Sequence, residues 1–351
     1  MIQKILSAYG LDENQFTIEQ IDNGLINQTW RLRNSHQDYI LQRVNNTVFK
    51  EPYAIASNLK ELSDYLLSNN PGYLFIVPIQ TKSNEGLTFL PGKGYFRLSH
   101  FVKQSHTIDA AKTPMQAFEA AKEFGKFTRL LAHFPVNELQ ITLPDFHNLS
   151  LRYKQFMLAL ESGNKSRVHQ ASELINIIIA NRNIVNTYES ILKNKDFKLR
   201  VTHHDTKISN VLFDNYDKGL CVIDLDTVMP GYFISDVGDM IRTYLSPVPE
   251  EEKDFSKIEI REEYYAAIWN GYMGEMKNEL SDVEKKHFIY AGKFMIYMQA
   301  IRFLTDHLND DTYYGAKYPD QNFVRAGNQV VLLQRLVEKE EIFAQPMHGL
   351  V

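Results

Sequence analysis

The sequence predicts an α+β chain of two lobes, in which a small antiparallel sheet precedes a larger and mostly helical part. The N-terminal part holds short alternating runs of β-forming residues separated by turn signals. From about Thr113 onward, apolar residues recur at three- and four-residue spacing, which is typical of helices that face a core. A chain of 351 residues is also long enough to divide into two lobes.

The expected sheet begins with three strands over FTIEQID, NQTWRLRN and DYILQRVN, and the turn signal Asn23-Gly24 separates the first two. A helix is expected from about Pro52 to Leu67. Three further runs of β-forming residues follow, in YLFIVPI, GLTFL and GYFRLSHFV.

The second half is expected to be helical. Helices are predicted over AFEAAKEFGKFTRLLAHF, Val168 to Leu192, EIREEYYAAIWNGYMGEM and Asp282 to Asp306. The predicted boundary between the lobes lies near residue 103, which gives an N-lobe at 1–103 and a C-lobe at 104–351.

Composition limits the partners that the protein can have. The net charge is −5 and no basic stripe is present, which argues against nucleic acid and anionic membranes. The single cysteine, Cys221, excludes an internal disulfide and fits a reducing compartment. No signal peptide or membrane-spanning run is visible. We therefore expect a soluble cytoplasmic protein that acts on a small molecule.

The chemistry is concentrated in VTHHDTKISNVLFDNYDKGLCVIDLD, residues 201–226. The pattern predicts a turn that carries Asp205, Lys207 and Asn210, then a hairpin whose return strand ends at Asp224. Phosphoryl transfer to a hydroxyl needs a carboxylate for the attacking alcohol, oxygen ligands for Mg²⁺ and a cation near the moving group. We assign these roles to Asp205, to Asn210 with Asp224, and to Lys207.

The same stretch resembles the catalytic and metal loops of the aminoglycoside phosphotransferase family, which are small-molecule kinases similar to protein kinases. His203, Asp205, Lys207 and Asn210 match the spacing of the protein-kinase loop H-R-D-L-K-x-x-N, and IDLD follows. The resemblance implies a bilobal protein-kinase-like fold with ATP and Mg²⁺ as cofactors. It also implies that an aspartate at the place of Asp236 supports the catalytic loop from below.

In this family, the first hairpin covers the nucleotide phosphates. Gly24 has no G-x-G-x-x-G around it, so the expected phosphate contacts are the backbone N–H groups from Gly24 to Asn27. The adenine ring is expected against backbone groups between His100 and Val102, where the lobes join.

Strand three should carry a basic residue that reaches the α- and β-phosphates. Gln42 and Arg43 point to opposite faces of that strand, and only Arg43 has the charge. Glu61, on the following helix, is the candidate acid to hold that cation. A lysine would be the protein-kinase pattern, so this chain departs from it.

The acceptor is suggested by a narrower resemblance. The segments ITLPDFHN, RVNNTVF, VTHHDTKISNVLFD and VIDLDTVMPG are similar to those of N-acetylhexosamine 1-kinases, and the similarity runs from about Ile21 to Gln329. It implies that the phosphoryl group goes to the anomeric hydroxyl of an amino sugar. Our candidates for contacts to the sugar are His147, Arg152, Arg302 and Asp306.

Three alternatives remain at this point. Kinases of the same fold act on homoserine, choline or aminoglycosides, although an aminoglycoside favours an acidic rim and the late segment mixes Arg302, Lys317 and Arg325 with its acids. A nucleotide-binding pseudokinase scaffold would explain the thin glycine loop and the missing lysine. A metal-dependent hydrolase is disfavoured because the adjacent His203 and His204 point to opposite faces of an extended chain.

Overall fold

An antiparallel sheet forms the N-terminal part of the protein. The computed structural model describes residues 1–21 and 27–343, so the predicted turn at Asn23-Gly24 and the contact assigned to Gly24 lie outside the described residues. In the described part the sheet has five strands, in the order β1-β2-β3-β5-β4. They are β1 (Thr17–Ile21), β2 (Gln28–Arg33), β3 (Tyr39–Val44), β4 (Thr88–Leu90) and β5 (Gly94–His100).

The two faces of this sheet have different neighbours. Helix α1 (Ile2–Ala8) covers one face, and its apolar residues form a small core with Leu41, Phe96 and Leu98. Successive residues of a strand point to opposite faces, so Gln42 and Arg97 point away from that core. Helix α2 (Pro52–Asn69) follows β3 and is joined to the C-terminal part by Asn58, whose amide donates to Val228 O at 3.2 Å.

The run YLFIVPI was expected to be a strand, and this prediction was wrong. The segment does not join a ladder. Pro78 lacks an N–H group to donate, and Phe75 stacks on Phe127 of the following lobe with ring centroids 6.2 Å apart. Ile79 alone donates a backbone hydrogen bond to the sheet, to Leu98 O at 2.7 Å. Packing of the aromatic side chains therefore holds this segment in place of strand pairing.

The C-terminal part is mostly helical, as predicted. The α+β architecture is confirmed, while the boundary near residue 103 stays a prediction within the segment between β5 and α3. The helices are α3 (Pro114–Leu130), α4 (Leu149–Ser162), α5 (Lys165–Gln170), α6 (Ser172–Ala180), α7 (Asn183–Lys193), α8 (Phe233–Tyr244), α9 (Glu262–Met276), α10 (Asp282–Lys286), α11 (Phe288–Leu308), α12 (Gln321–Glu338) and α13 (Glu340–Phe343).

Helices α3 and α9 pack along each other, and α11 packs against α4, α8 and α12. The first pair approaches closely because Gly271 lacks a side chain, since a Cβ there would lie 2.4 Å from Phe118 O. None of the helices in the described ranges is both long and apolar enough to cross a lipid bilayer.

Two expected long helices are interrupted. The stretch from Val168 to Leu192 forms α5, α6 and α7, and the amide of Asn181 donates to Ile177 O at 2.9 Å where α6 ends. The stretch from Asp282 to Asp306 breaks at His287, whose Nδ1 lies 2.8 Å from Val283 O. These polar side chains bond to the preceding turn and compete with continuation of the helix.

Two short antiparallel pairs lie at the centre of the C-terminal part. Strand β6 (Arg200–Thr202) pairs with β9 (Met229–Gly231), and β7 (Val211–Phe213) pairs with β8 (Gly219–Val222). The segment between β6 and β7 and the segment between β8 and β9 are therefore held side by side. The predicted hairpin behind Asn210 is confirmed.

Candidate active site

The β7–β8 hairpin brings Asn210 and Asp224 to the same place. Val211 pairs with Val222 in its register, so the residue before β7 lies opposite the residue after β8. The N–H of Ile223 donates to Asn210 O at 2.8 Å and fixes this arrangement. Asp224 is the residue after Ile223, and its backbone is in the left-handed conformation with φ 58°. Such a backbone is uncommon outside glycine and clusters at functional sites.

Asp205 is bound to the same asparagine. The Asn210 amide donates to Asp205 O at 2.8 Å and to Asp205 Oδ2 at 3.0 Å. Lys207 Nζ lies 3.3 Å from Asp205 Oδ2. The Asp205 side chain keeps 22% of its surface accessible, so a substrate hydroxyl can reach it. Burial disfavours the Lys207 charge, but the carboxylates of Asp205, Asp239 and Asp224 outweigh that effect and raise the Lys207 pKa.

Helix α8 supports this loop from below. The carboxylate of Asp236 accepts the N–H groups of His203, at 3.1 Å, and His204, at 2.7 Å. Asp239 accepts the N–H of Thr206 at 2.9 Å and is itself held by Arg242 Nη2 at 2.9 Å. The supporting role implied for Asp236 is thus confirmed, and Asp239 adds a second support that sequence reasoning missed.

The two adjacent histidines contact different groups. His203 Nε2 lies 2.9 Å from Ile223 O, and His204 Nδ1 lies 3.3 Å from His147 Nδ1. His204 has a φ of 67°, so the chain is not extended there as expected. Burial is the main cause that lowers the pKa of all three imidazoles, to about 4 for His204. The three imidazoles are therefore neutral near pH 7. His203 and His204 do not converge on one metal ion, because their rings contact different groups.

Asp224 is exposed at the surface, although many protein atoms lie around its carboxylate. The partial desolvation there, with repulsion by Asp226 and Asp205, raises the pKa of Asp224. This repulsion among carboxylates favours a cation beside Asp224.

Within the described ranges, no group of three or more His, Cys, Asp or Glu side chains is arranged to hold a metal ion. Mg²⁺ does not require one, because it keeps several waters and takes one or two carboxylates together with substrate phosphates. Asn210 and Asp224 fit that kind of site, and their assignment as metal ligands stays a prediction.

The sheet approaches the site through a buried network around Asp226. The guanidinium of Arg97 on β5 forms an ion pair with Asp226 Oδ1, and the Asn27 amide donates to Asp226 Oδ2 at 2.7 Å. Arg97 Nε also donates to Gln42 Oε1 at 2.9 Å. The side chain of Asn27 thus belongs to this network, and the contact of its backbone N–H to phosphate stays a prediction.

The strand-three cation and its acid are not brought together. Arg43 lies on the other face of β3 from Gln42 and donates to Gln28 Oε1 at 3.3 Å. Glu61 is exposed on α2, beside Lys60. The expected Arg43–Glu61 pair does not form among the described residues.

His100 and Val102 lie where the sheet meets the helical part. His100 ends β5, with its ring centroid 5.4 Å from that of Tyr39. Val102 O accepts a hydrogen bond from Ser105 Oγ at 2.7 Å. Their contacts to adenine stay predictions.

A pocket of about 350 Å³ lies between α4, α11 and the loop after α11. Three of the four predicted acceptor contacts line it: Arg152, Arg302 and Asp306. Arg302 lies over the ring of Phe146 at 5.7 Å, and Phe146 stacks on His147 with centroids 4.4 Å apart. Because His147 contacts His204, these rings connect the pocket to the catalytic loop.

The two arginines and the aspartate of this pocket differ in their bonding. Asp306 is buried, and it accepts the N–H groups of Tyr313 and Tyr314 at 2.7 and 2.8 Å. It therefore holds the wall of the pocket. Among the described residues neither Arg152 nor Arg302 forms an ion pair. Burial, together with the charge of Arg302, lowers the pKa of Arg152.

The sequence around this site matches a known protein family. The model of the phosphotransferase enzyme family (APH) matches residues 17–274, well over half of the chain. The chain belongs to this family. The match includes the sheet, the catalytic loop and the Asp224 segment, and it ends before the helices that complete the acceptor pocket.

Solved structures of phosphotransferases share the fold. A microcompartment-associated aminopropanol kinase has a TM-score of 0.64 at 12% identity, with 99% of this chain and 98% of that chain covered. An aminoglycoside phosphotransferase from Alicyclobacillus acidocaldarius has 0.63 at 13% identity, with 97% and 96% covered. A spectinomycin phosphotransferase in complex with ADP and spectinomycin has 0.61 at 16% identity, with 95% of each chain covered. At such low identity these likenesses show the fold.

Proposed function

We propose that this phosphotransferase moves the γ-phosphoryl group of ATP to the anomeric hydroxyl of an N-acetylhexosamine in the presence of Mg²⁺. A single observation carries the phosphoryl-transfer part: Asn210 joins the two loops. Its side-chain amide donates a hydrogen bond to Asp205, and its backbone carbonyl accepts one from Ile223, the residue before Asp224. A carboxylate for the alcohol and two oxygen ligands for a metal are thereby adjacent. The similarity to a structure solved with ADP supports the nucleotide.

Asp205 orients the acceptor. Its accessible carboxylate takes the hydrogen bond of the sugar hydroxyl and aligns that oxygen with the γ-phosphorus. As the new O–P bond forms, the bond to the bridging oxygen of ADP breaks and the hydroxyl proton passes to Asp205. An anomeric hydroxyl is more acidic than an ordinary alcohol, so the base has less work to do and orientation by Asp205 carries more of the catalysis.

The remaining residues bind and neutralise charge. Asn210 and Asp224 would hold Mg²⁺, which supplies positive charge at the phosphate oxygens when it is bound. Lys207 stays protonated because carboxylates surround it. Its ammonium, which lies 3.3 Å from Asp205, offsets negative charge as the phosphoryl group moves.

The pocket supports a neutral acceptor over a cationic one. Arg152 and Arg302 lack ion pairs among the described residues and present N–H donors to the pocket. Guanidinium groups attract the carbonyl oxygen of an acetamido group and the oxygens of ring hydroxyls, and they repel the ammonium groups of choline or an aminoglycoside. Tyr313 and Tyr314, which line the pocket, offer aromatic surface to a sugar ring.

The test is ADP release from ATP and Mg²⁺ with a panel of acceptors: N-acetylglucosamine, N-acetylgalactosamine, homoserine, choline and an aminoglycoside. We expect turnover with the first two and a phosphate on C1, located by ³¹P coupling in NMR spectra. Asp205→Asn should lower kcat by about 100-fold or more, the usual contribution of a positioned base. Asp196→Asn, an exposed aspartate outside the site, is the matched control.

Each part of the proposal fails separately. Equal activity in Asp205→Asn removes that residue from its role. Phosphate on the C6 hydroxyl, or turnover with choline alone, refutes the acceptor and leaves phosphoryl transfer intact. Nucleotide binding without ADP release for any acceptor favours the pseudokinase scaffold.

A further inference from the structure

In the part of the chain that the structure describes, the sheet presents a buried cation to the metal loop, the segment between β8 and β9 that carries Asp224 and Asp226. This cation does not come from strand three. The face of β3 that looks toward the C-terminal part carries the neutral Gln42, whose cross-strand partner is Arg97 on β5. Arg43, the charged residue of β3, pairs with Phe96 and points to the opposite face. On the face toward the C-terminal part, strand β3 has no charged residue at position 42. The neighbouring strand β5 supplies the charge there through Arg97, the cross-strand partner of Gln42.

Arg97 is held rigidly at this place. Its side chain is 7% exposed, its Nε donates to Gln42 Oε1 at 2.9 Å, and its Nη1 contacts Asp226 Oδ1. Asp226 is in turn fixed by the Asn27 amide at 2.7 Å. Burial disfavours the Arg97 charge, but Asp226 and then Asp224 outweigh it and raise the Arg97 pKa, so the guanidinium stays charged.

The guanidinium still has donors to offer. Arginine carries five N–H groups in a planar fork that matches phosphate oxygens. Among the described residues, the hydrogen-bond partners of Arg97 use its Nε and Nη1 and leave Nη2 available. The Asp226 carboxylate that holds Arg97 lies two residues after Asp224, and the Arg97 charge opposes the rise in the Asp224 pKa, so the cation lies near the carboxylate expected to hold the metal of the nucleotide.

We propose that Arg97 contacts the nucleotide phosphates in place of a strand-three lysine, with Gln42 and Asp226 as the residues that position it. In protein kinases the strand-three lysine is paired with an acid of a helix in the same lobe. Here the acid, Asp226, belongs to the metal loop, two residues after Asp224. The cation and the metal ligand are therefore fixed by one short segment. This inference rests on the proposed use of ATP.

A buried ion pair that merely joins the sheet to the metal loop would show the same contacts, so the test needs a readout that separates the two roles. If Arg97 binds phosphate, its removal lowers the affinity for Mg·ADP and not for adenosine, which has no phosphate. If Arg97 is only a structural bridge, its removal lowers both affinities. We therefore measure the affinities of Mg·ADP and adenosine by calorimetry, with the urea midpoint of each variant as the check of folding.

The informative variants exchange charge across the strand pair. Arg97→Gln should weaken Mg·ADP about 30-fold, the loss expected for a charge-assisted hydrogen bond, and adenosine less than about threefold. Adding Gln42→Lys returns a cation to the strand-three position and should recover at least about tenfold in Mg·ADP affinity. Arg33→Gln, the same change at an exposed arginine of β2, should alter Mg·ADP affinity less than about twofold.

Three results overturn the inference and leave the proposed function intact. The first is Mg·ADP affinity in folded Arg97→Gln that stays within threefold of wild type, and the second is an equal loss for Mg·ADP and adenosine. If Arg97→Gln does not fold, the double variant Arg97→Gln/Gln42→Lys decides. The third result is a folded double variant that binds Mg·ADP no more tightly than adenosine. A wild-type protein that binds neither Mg·ADP nor Mg·ATP refutes the proposed function itself, and the inference with it.

Discussion

The strand that leads into the catalytic loop is anchored by a buried ion pair, and its removal gives the sharpest stability prediction. Arg200 begins β6, and its guanidinium makes two bonds to Glu284 of α10, at 2.6 and 2.9 Å. The side chains are 5% and 0% exposed. Glu284 also accepts the N–H groups of Lys198 at 3.1 Å and Ser281 at 2.9 Å. One carboxylate thus satisfies four donor contacts.

The expected magnitude follows from these bonds. Glu284→Leu leaves a buried guanidinium with carbonyl partners alone, which costs about 3–5 kcal/mol of unfolding free energy. Arg200→Met leaves a carboxylate that keeps its two backbone donors, so we expect about 3 kcal/mol. The double variant has no unpaired charge, but it leaves the N–H groups of Lys198 and Ser281 without their acceptor, so we expect a loss of about 4 kcal/mol. The sum of the single variants then exceeds the double by about 3 kcal/mol, which is the coupling energy of the pair.

Urea unfolding followed by circular dichroism measures all three variants. Total stabilities of about 5–15 kcal/mol leave the single variants folded enough for a baseline. Asp282→Ala is the control on the same helix, because Asp282 pairs with Lys285 at 91% exposure and should hardly change the midpoint. Additive single variants, or a Glu284→Leu loss no larger than that of the control, would refute the reasoning.

Two further predictions concern the site. Chelation of divalent metal should abolish turnover, and Asp224→Asn should raise the Mg²⁺ concentration for half-maximal activity about tenfold or more; an unchanged Mg²⁺ dependence contradicts the assignment. Gly231→Ala should lower the unfolding free energy by about 1–3 kcal/mol, because its Cβ would lie 2.5 Å from His204 Cε1. Gly274→Ala, with no atom within 4 Å of the added carbon, is its control, and equal urea midpoints for the two variants would contradict the clash.

The catalytic loop could be predicted from the sequence because its chemistry and its geometry are both local. Asp205 and Asn210 share one turn, and a single hairpin carries the chain from Asn210 to Asp224. Turn signals and β-forming residues specify that hairpin within a few residues. The resemblance to the phosphotransferase family rests on the same short stretch, and the family match confirms it.

The Arg97–Asp226 pair could not be predicted in this way. The two residues are 129 positions apart, and their contact depends on how the sheet lies over the metal loop. On strand three, the alternation separated Gln42 from Arg43 correctly. It could not indicate that the partner of Gln42 would come from β5, because that pairing skips α2 and β4.

The interrupted helices have a different cause. Apolar spacing reports which face of a segment is buried, and that face continues across Asn181 and His287. The breaks come from single polar side chains that bond to a carbonyl of the preceding turn. The run YLFIVPI has the composition of a strand, but such residues favour any half-buried surface and not strand pairing in particular. Here they are half-buried because Phe75 packs on Phe127.

The charges of the site divide the work among its three neighbouring carboxylates. Asp205 lies beside Lys207, and Asp226 is paired with Arg97. Asp224 has no ion pair within the described ranges, and it is the most exposed of the three. A divalent cation that arrives with a nucleotide has the least to displace at Asp224, whereas at Asp226 it would have to break a buried ion pair. This distribution favours Asp224 as the metal ligand and leaves Asp226 to hold Arg97.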